Sequence, residues 1–148
     1  MERGLAVARA DGSCYDKNII LSHLGAAYAD LGDQRKAIEH YEKALVIARE
    51  IGDRRGEGNS LGNLGLAYAA LGDLRKAIEH HEQALEISRE IGDRLNEGIW
   101  LYNMSLSLFA LADRARAVEC AKEALAIYEQ IESPRAKRVR RTLAEWRG

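Results

Sequence analysis

Leu24 to Gly58 reads LGAAYADLGDQRKAIEHYEKALVIAREIGDRRGEG, and forty residues later Leu64 to Gly98 reads LGLAYAALGDLRKAIEHHEQALEISREIGDRLNEG. Extended to Asn63 and Asn103, the two blocks agree at 28 of 40 paired positions, and a third, worn copy follows. A unit of two helices cannot bury its apolar faces alone. Copies of it stack, each touching only its neighbours, and present an extended surface in place of an enclosed pocket. The default work of such a surface is to hold another protein.

Composition agrees. The chain has 148 residues, 30% charged and 47% apolar, with a single proline, the balance of a globular all-α protein of one domain. A net charge of -1 gives no overall pull toward nucleic acid or anionic membrane. Cys14 and Cys120 stand far apart without redox or metal-ligand spacing, as expected in a reducing cytoplasm. No basic-then-apolar leader and no membrane-length apolar run is present, so a secreted or membrane-embedded protein is not expected.

Glycine and aspartate punctuate the helices. Gly32, Gly72, Gly52 and Gly92 can take the left-handed conformation that ends a helix, and Asp33, Asp73, Asp53 and Asp93 can cap the next one. Linkers this short force successive helices antiparallel. The first helices are expected over 17–31, 57–71 and 97–111, and the second over 34–51, 74–91 and 114–131. Ala112 replaces the glycine of the third hairpin, which predicts a strained or altered turn there. Leu21, Leu24, Tyr28 and Leu31 recur as Leu61, Leu64, Tyr68 and Leu71, then as Leu101, Met104, Leu108 and Leu111. That three-and-four spacing marks inward stripes. Gly25, Gly65 and Ser105 opposite Ala37, Ala77 and Ala117 allow the paired helix axes to approach closely.

Leu24, Gly25, Tyr28, Ala37, Tyr41 and Ala44, echoed by Leu64, Gly65, Tyr68, Ala77, His81 and Ala84, resemble the tetratricopeptide repeat signature across the whole chain. The period exceeds the family's usual 34 residues. It is similar to the long repeats of Pins-type adaptors, kinesin light chains and bacterial regulators. The resemblance implies a right-handed superhelical α-solenoid of helical hairpins. Residues 17–51, 57–91 and a degenerate 97–131 form its three repeats, and 133–147 caps it. Residues 1–11 align with a second helix of a preceding repeat, since Leu5, Val7, Arg9 and Gly12 fall on Leu85, Ile87, Arg89 and Gly92. Ser133 and Pro134 open the last helix, whose Ala136, Val139, Leu143 and Trp146 form a docking stripe.

In this family the first helices line a concave groove. Turned away from the buried stripe here are Ile19, Ser22, His23 and Ala26, then Asn59, Asn63 and Leu66, then Tyr102, Asn103, Leu106 and Phe109. An amide both donates and accepts, so Asn63 and Asn103, one repeat apart, can hold a peptide backbone whatever its side chains. By the resemblance, Arg54 and Arg94 would take a partner's carboxylates. The competing reading pairs them with Glu57 and Glu97 of their own chain. Tyr102, Leu106 and Phe109 make the third repeat an apolar anchor for an amphipathic segment, against the alternative that Phe109 and Trp100 are buried by the next helix.

Nothing in the chain assembles a catalytic or cofactor site. His40, His80 and His81 lie beside carboxylates without further ligands, and the repeat explains their recurrence. Cys120 sits among Glu119 and Glu123, which raise a thiol pKa. Gly56 and Gly58 flank Glu57 and lack the lysine of a phosphate loop. The sequence therefore reads as a non-enzymatic scaffold, without cofactor, that binds a protein or peptide in its groove. Two alternatives accompany it: self-association through the N-terminal helix or the groove, and an anionic ligand or RNA on the basic last helix. Arg135, Lys137, Arg138, Arg140, Arg141 and Arg147 cluster there, but no aromatics interleave with them for stacking on bases.

Overall fold

The computed structural model describes the backbone of residues 2–147 and the side chains of residues 13–147. Every described element is a helix: α1 (Glu2–Asp30), α2 (Gln34–Ile51), α3 (Arg54–Ala70), α4 (Leu74–Ile91), α5 (Arg94–Ala110), α6 (Arg114–Gln130) and α7 (Ala136–Arg147). Each packs against the next in chain order. The backbones of α1 and α3, and of α3 and α5, also touch. Long side chains bridge α4 and α6, Arg89 reaching Glu123 at 3.2 Å and Arg116 reaching Glu82 at 3.3 Å. The first helices of the hairpins thus form the tighter, inner layer of the solenoid. Among the described residues no helix is long and apolar enough to cross a membrane.

Local chemistry sets these limits. Asp33, Asp73 and Asp113 accept hydrogen bonds from the backbone N–H three residues on, and Asp53 and Asp93 do the same for Gly56 and Asn96. Because Asp53 and Asp93 are true N-caps, α3 and α5 begin at Arg54 and Arg94, three residues before the expected starts. Gly56 and Gly58 accordingly lie inside α3, and Gly58 is buried. The last helix begins at Ala136, with Ser133 Oγ accepting from the Arg135 N–H at 3.2 Å. Where a separate helix over 1–11 is expected, the backbone runs as one helix from Glu2 through Gly12 to Asp30. The side chains of that expected helix lie outside the described residues.

The core follows the repeat. Leu61, Leu64, Leu101, Met104 and Leu108 are buried as expected, against Ala37, Tyr41, Ala44, Ala77, Ala84, Ala117, Ala121 and Ala124 of the second helices. Leu31, Leu71 and Leu111 are exposed instead, because the helix has ended one residue earlier and the turn carries them outward. Leu24 is 43% exposed although its repeat equivalents Leu64 and Met104 are buried. The helices carrying the latter two, α3 and α5, each pack against a preceding second helix as well as their own. Gly25 and Gly65 are the close-approach points: a Cβ at Gly25 would lie 2.6 Å from the Tyr41 ring, and one at Gly65 2.5 Å from the His81 ring.

Ala112 keeps the shape of the glycine turns at a conformational cost. Its φ of 68° lies in the left-handed region, beside 85° and 83° at Gly32 and Gly72. The turn's hydrogen bond is retained, Asp113 N–H donating to Leu108 C=O at 2.9 Å as Asp73 N–H does to Tyr68 C=O. The expected strain is therefore present without altered geometry. Ala112→Gly relieves it and is expected to stabilise the chain by about 1 kcal/mol, read as a higher urea midpoint at unchanged slope. A lower midpoint would show the left-handed alanine to be harmless.

Candidate functional site

The inner layer carries two hollows that meet at one residue. The larger, about 390 Å³, is lined by Tyr15, Asn18, Ile19, Ser22 and His23 of α1, by Asp53, Arg55, Gly56, Asn59 and Asn63 at α3, and by Asn96 and Trp100 of α5. The smaller, about 240 Å³, lies toward the C-terminal ends of α1 and α3. Its walls are Ala26, Ala29, Tyr41, Asn63, Leu66, Ala67 and Ala70, with Asp30 and Gln34 at its edge. Asn63 lines both, so a polar trough passes into an apolar one across its amide.

The amides differ in availability. Asn18 is buried and donates to the Ala44 carbonyl at 2.6 Å, tying α1 to α2. Asn59 is exposed and its Oδ1 accepts from Asn96 Nδ2 at 3.2 Å, which links α3 to α5 across the floor. Asn63 is half-buried and engages no other group among the described residues. Asn103 is likewise half-buried, one repeat further along the same face. Leu66 and Leu106 are exposed, and Leu66 walls the apolar hollow.

The arginines at the hairpin junctions are already engaged. Arg54 pairs with Glu57 at 2.9 Å and with Glu90, and Arg94 with Glu97 at 2.9 Å and the Gln130 side chain. Their forks hold consecutive elements of this chain together, as the competing reading had it. The arginine that does reach the trough is Arg55, exposed and paired with Asp93 at 2.8 Å. Neither Arg55 nor Asn96 was among the expected groove residues, because both fell in segments assigned to turns.

Aromatic anchoring in the third repeat is taken up internally. Tyr102 is buried, its hydroxyl hydrogen-bonds Thr142 at 2.7 Å, and Arg138 lies over its ring. Phe109 stacks on Trp146 with centroids 4.4 Å apart and planes within 4°. The last helix thus takes up Tyr102 and Phe109 of the apolar stretch expected to receive a partner, while Leu106 stays exposed. Trp100 is also buried, lying over Gly62 and stacked on His81 at 5.8 Å. On the basic helix Arg140 pairs with Glu129 at 3.2 Å.

The reactive groups are not poised for chemistry. Burial, then Glu123, pushes the Cys120 thiol up, away from the thiolate a nucleophile needs. His40 and His80 hydrogen-bond through Nδ1 to the Lys36 and Lys76 carbonyls at 2.7 Å and lie against Tyr28 and Tyr68. His81 is deeply buried, and burial pushes its pKa down to about 4, with the neighbouring His80 adding slightly. Unfolded, the same ring protonates near 6.5. The unfolded state therefore takes up the proton first, and the neutral ring's contribution, complete above pH 6.5, is lost as pH falls toward 4. This amounts to about 3 kcal/mol. Urea unfolding of the wild type and His81→Phe at pH 7 and 4.5 checks this: the wild type is expected to lose more stability than the variant on acidification. Equal losses would remove His81 as the cause.

With the hairpins and groove described, likeness to known proteins has a structural footing. A tetratricopeptide repeat family model matches residues 16–90 and 68–130. No curated protein matches the chain. Among solved structures, the TPR domain of Arabidopsis FLU superposes with a TM-score of 0.76 at 20% identity, covering 79% of this chain and 98% of that one. RapI in its apo form gives 0.84 at 17% identity, and this chain, 88% covered, spans 48% of its length. A Podosopora anserina putative kinesin light chain with nearly identical TPR-like repeats gives 0.73 at 21% identity, over 85% of this chain and 63% of that one. These identities speak to the fold. The family match covers most of the chain and the same helical hairpins recur in space: the chain belongs to the tetratricopeptide repeat family.

Proposed function

We propose that the protein is a non-enzymatic scaffold that holds an extended segment of a partner protein in the groove between α1 and α3, with Asn63 as the central contact. One observation carries this reading: the Asn63 amide sits uncommitted where the polar and apolar hollows join. An extended strand laid there exchanges backbone hydrogen bonds with Asn63 and Asn59. Neighbouring ligand side chains fall into the Leu66–Ala67–Ala70 slot on one side and beside Arg55 and His23 on the other. Asn103 and Leu106 extend the same face toward the third repeat. Tyr102 and Phe109 contribute by fixing α7, and Arg54 and Arg94 by joining the hairpins. A cytoplasmic setting accords with the unpaired thiols of Cys14 and Cys120.

The two hollows also limit the ligand. Their lining residues are displaced by about nine positions along α1 and α3, or roughly 14 Å of helix axis, a span of about four residues of extended chain. Peptides selected from a random display library on the intact protein provide the probe. Titration against wild type and an Asn59→Ala, Asn63→Ala variant is expected to show about tenfold weaker binding by the variant, two lost hydrogen bonds' worth. Unchanged affinity would move the site out of this groove.

A further inference from the structure

The outward face of α1 is built to the same pattern as interfaces that are closed elsewhere in the molecule. Ile20, Leu24 and Ala27 stand at the repeat positions of Ser60, Leu64 and Ala67 in α3, and of Trp100, Met104 and Ser107 in α5. Those six equivalents are all buried, and the helices that carry them each pack on the second helix of the hairpin before, α3 on α2 and α5 on α4, a neighbour that α1 lacks among the described residues. On α1 the corresponding residues are open, Ile20 at 58% and Leu24 at 43% exposure. Ile20, Leu24 and Ala27 repeat at intervals of four and three, the seam spacing of a helix that receives another helix.

A charge at the rim says what kind of helix fits. At both closed junctions an arginine in the last turn of the second helix pairs with a glutamate in the first turn of the next helix, Arg49 with Glu57 and Arg89 with Glu97, each at 3.2 Å. The α1 residue at that repeat position is Lys17, which is exposed. An incoming helix with arginine there would set two cations together. One carrying a carboxylate would restore the pair with its polarity reversed. The chain itself contains a junction of that polarity: Glu129, at the repeat position of Arg49 and Arg89, pairs with Arg140 of α7 at 3.2 Å.

We infer that the α1 face is a second docking surface, separate from the groove, for an amphipathic helix of a partner protein. That helix presents small residues and one leucine in the manner of Ala37, Ala44, Leu45 and Ala48, and bears a carboxylate opposite Lys17, at the position that Arg49 holds in α2. This differs from a copy of the chain's own α2 or α4, which carry Arg49 and Arg89 at that position.

The test uses two helix-constrained peptides of residues 33–52, one unaltered and one with Arg49→Glu, titrated against the intact protein. The altered peptide is expected to bind about fivefold tighter, and Lys17→Glu in the protein is expected to reverse the order. Leu24→Asp is expected to abolish both. Equal affinities, an order unmoved by Lys17→Glu, or no binding of either peptide would overturn the proposal. Sedimentation of the protein alone supplies an independent check: a concentration-dependent dimer dissolved by Leu24→Asp would name a second copy as the occupant and overturn it equally.

Discussion

Close crossing of paired helices is the constraint from which the rest of the molecule follows. Helices approach most closely where side chains are small, and the space then has to be filled from one side only. In the first hairpin Gly25 yields to Tyr41, and in the second Gly65 yields to His81. His81 is smaller than tyrosine, and the space it leaves goes to Trp100, which stands where the first junction has Ser60 and presses on Gly62. In the third repeat the second-helix position is Ala121, fully buried, and the bulk moves to Tyr102 and to Tyr128, whose ring lies against Gly98. Three junctions fill similar spaces with bulk in different places. The degenerate look of the third copy is thus a redistribution of volume, which cores tolerate better than its loss.

Electrostatics repeats with the same period. At each closed junction an arginine, a glutamate and an N-capping aspartate converge, as in Arg49, Glu57 and Asp53, then Arg89, Glu97 and Asp93. The glutamates lie in the first turn of their helices, where the backbone N–H groups also favour negative charge. Such pairs are half-open to solvent and each contributes little to stability. Their value is in register: Arg54 reaching Glu90 and Arg55 reaching Asp93 link successive elements and leave little freedom in how one hairpin turns against the next. Walls so fixed would lower the ordering cost of the segment proposed to bind between them.

The second helices were legible to the residue, 34–51 and 74–91, because both ends carry local signals, an aspartate cap before and a left-handed glycine after. The first helices α3 and α5 begin three residues before the apolar period shows them, because Asp53 and Asp93 cap directly onto Arg54 and Arg94 and α3 runs through Gly56 and Gly58. Arg55 and Asn96 lie in those added first turns, which is why the apolar period does not bring them to the groove. Extending the apolar period past the helix end made Leu31, Leu71 and Leu111 look inward when the turn had already redirected them. Other features were beyond periodicity altogether. Whether Trp100 faces a ligand or a neighbour depends on Gly62 of α3, a different position in the repeat on a different helix. Whether Arg54 was available depended on Glu90, a helix away.

The same logic separates the two ends of the solenoid in how far their side chains are engaged. At the C-terminal end Tyr102, Phe109 and Trp146 are committed to α7, and the basic side chains of that helix serve it too, Arg138 over Tyr102 and Arg140 on Glu129. An aromatic surface that is stacked and hydrogen-bonded internally can bind a partner only after those contacts are broken, so its free energy is already committed to structure. Toward α1 and α3 the balance is opposite. Asn63 is unengaged, Leu66 and Leu24 are open, and the alanines of the smaller hollow present apolar surface without filling it. The proposed recognition of a partner segment is accordingly drawn to the first two repeats. The third repeat, with its displaced bulk and its capping helix, supplies the rigidity against which they are held.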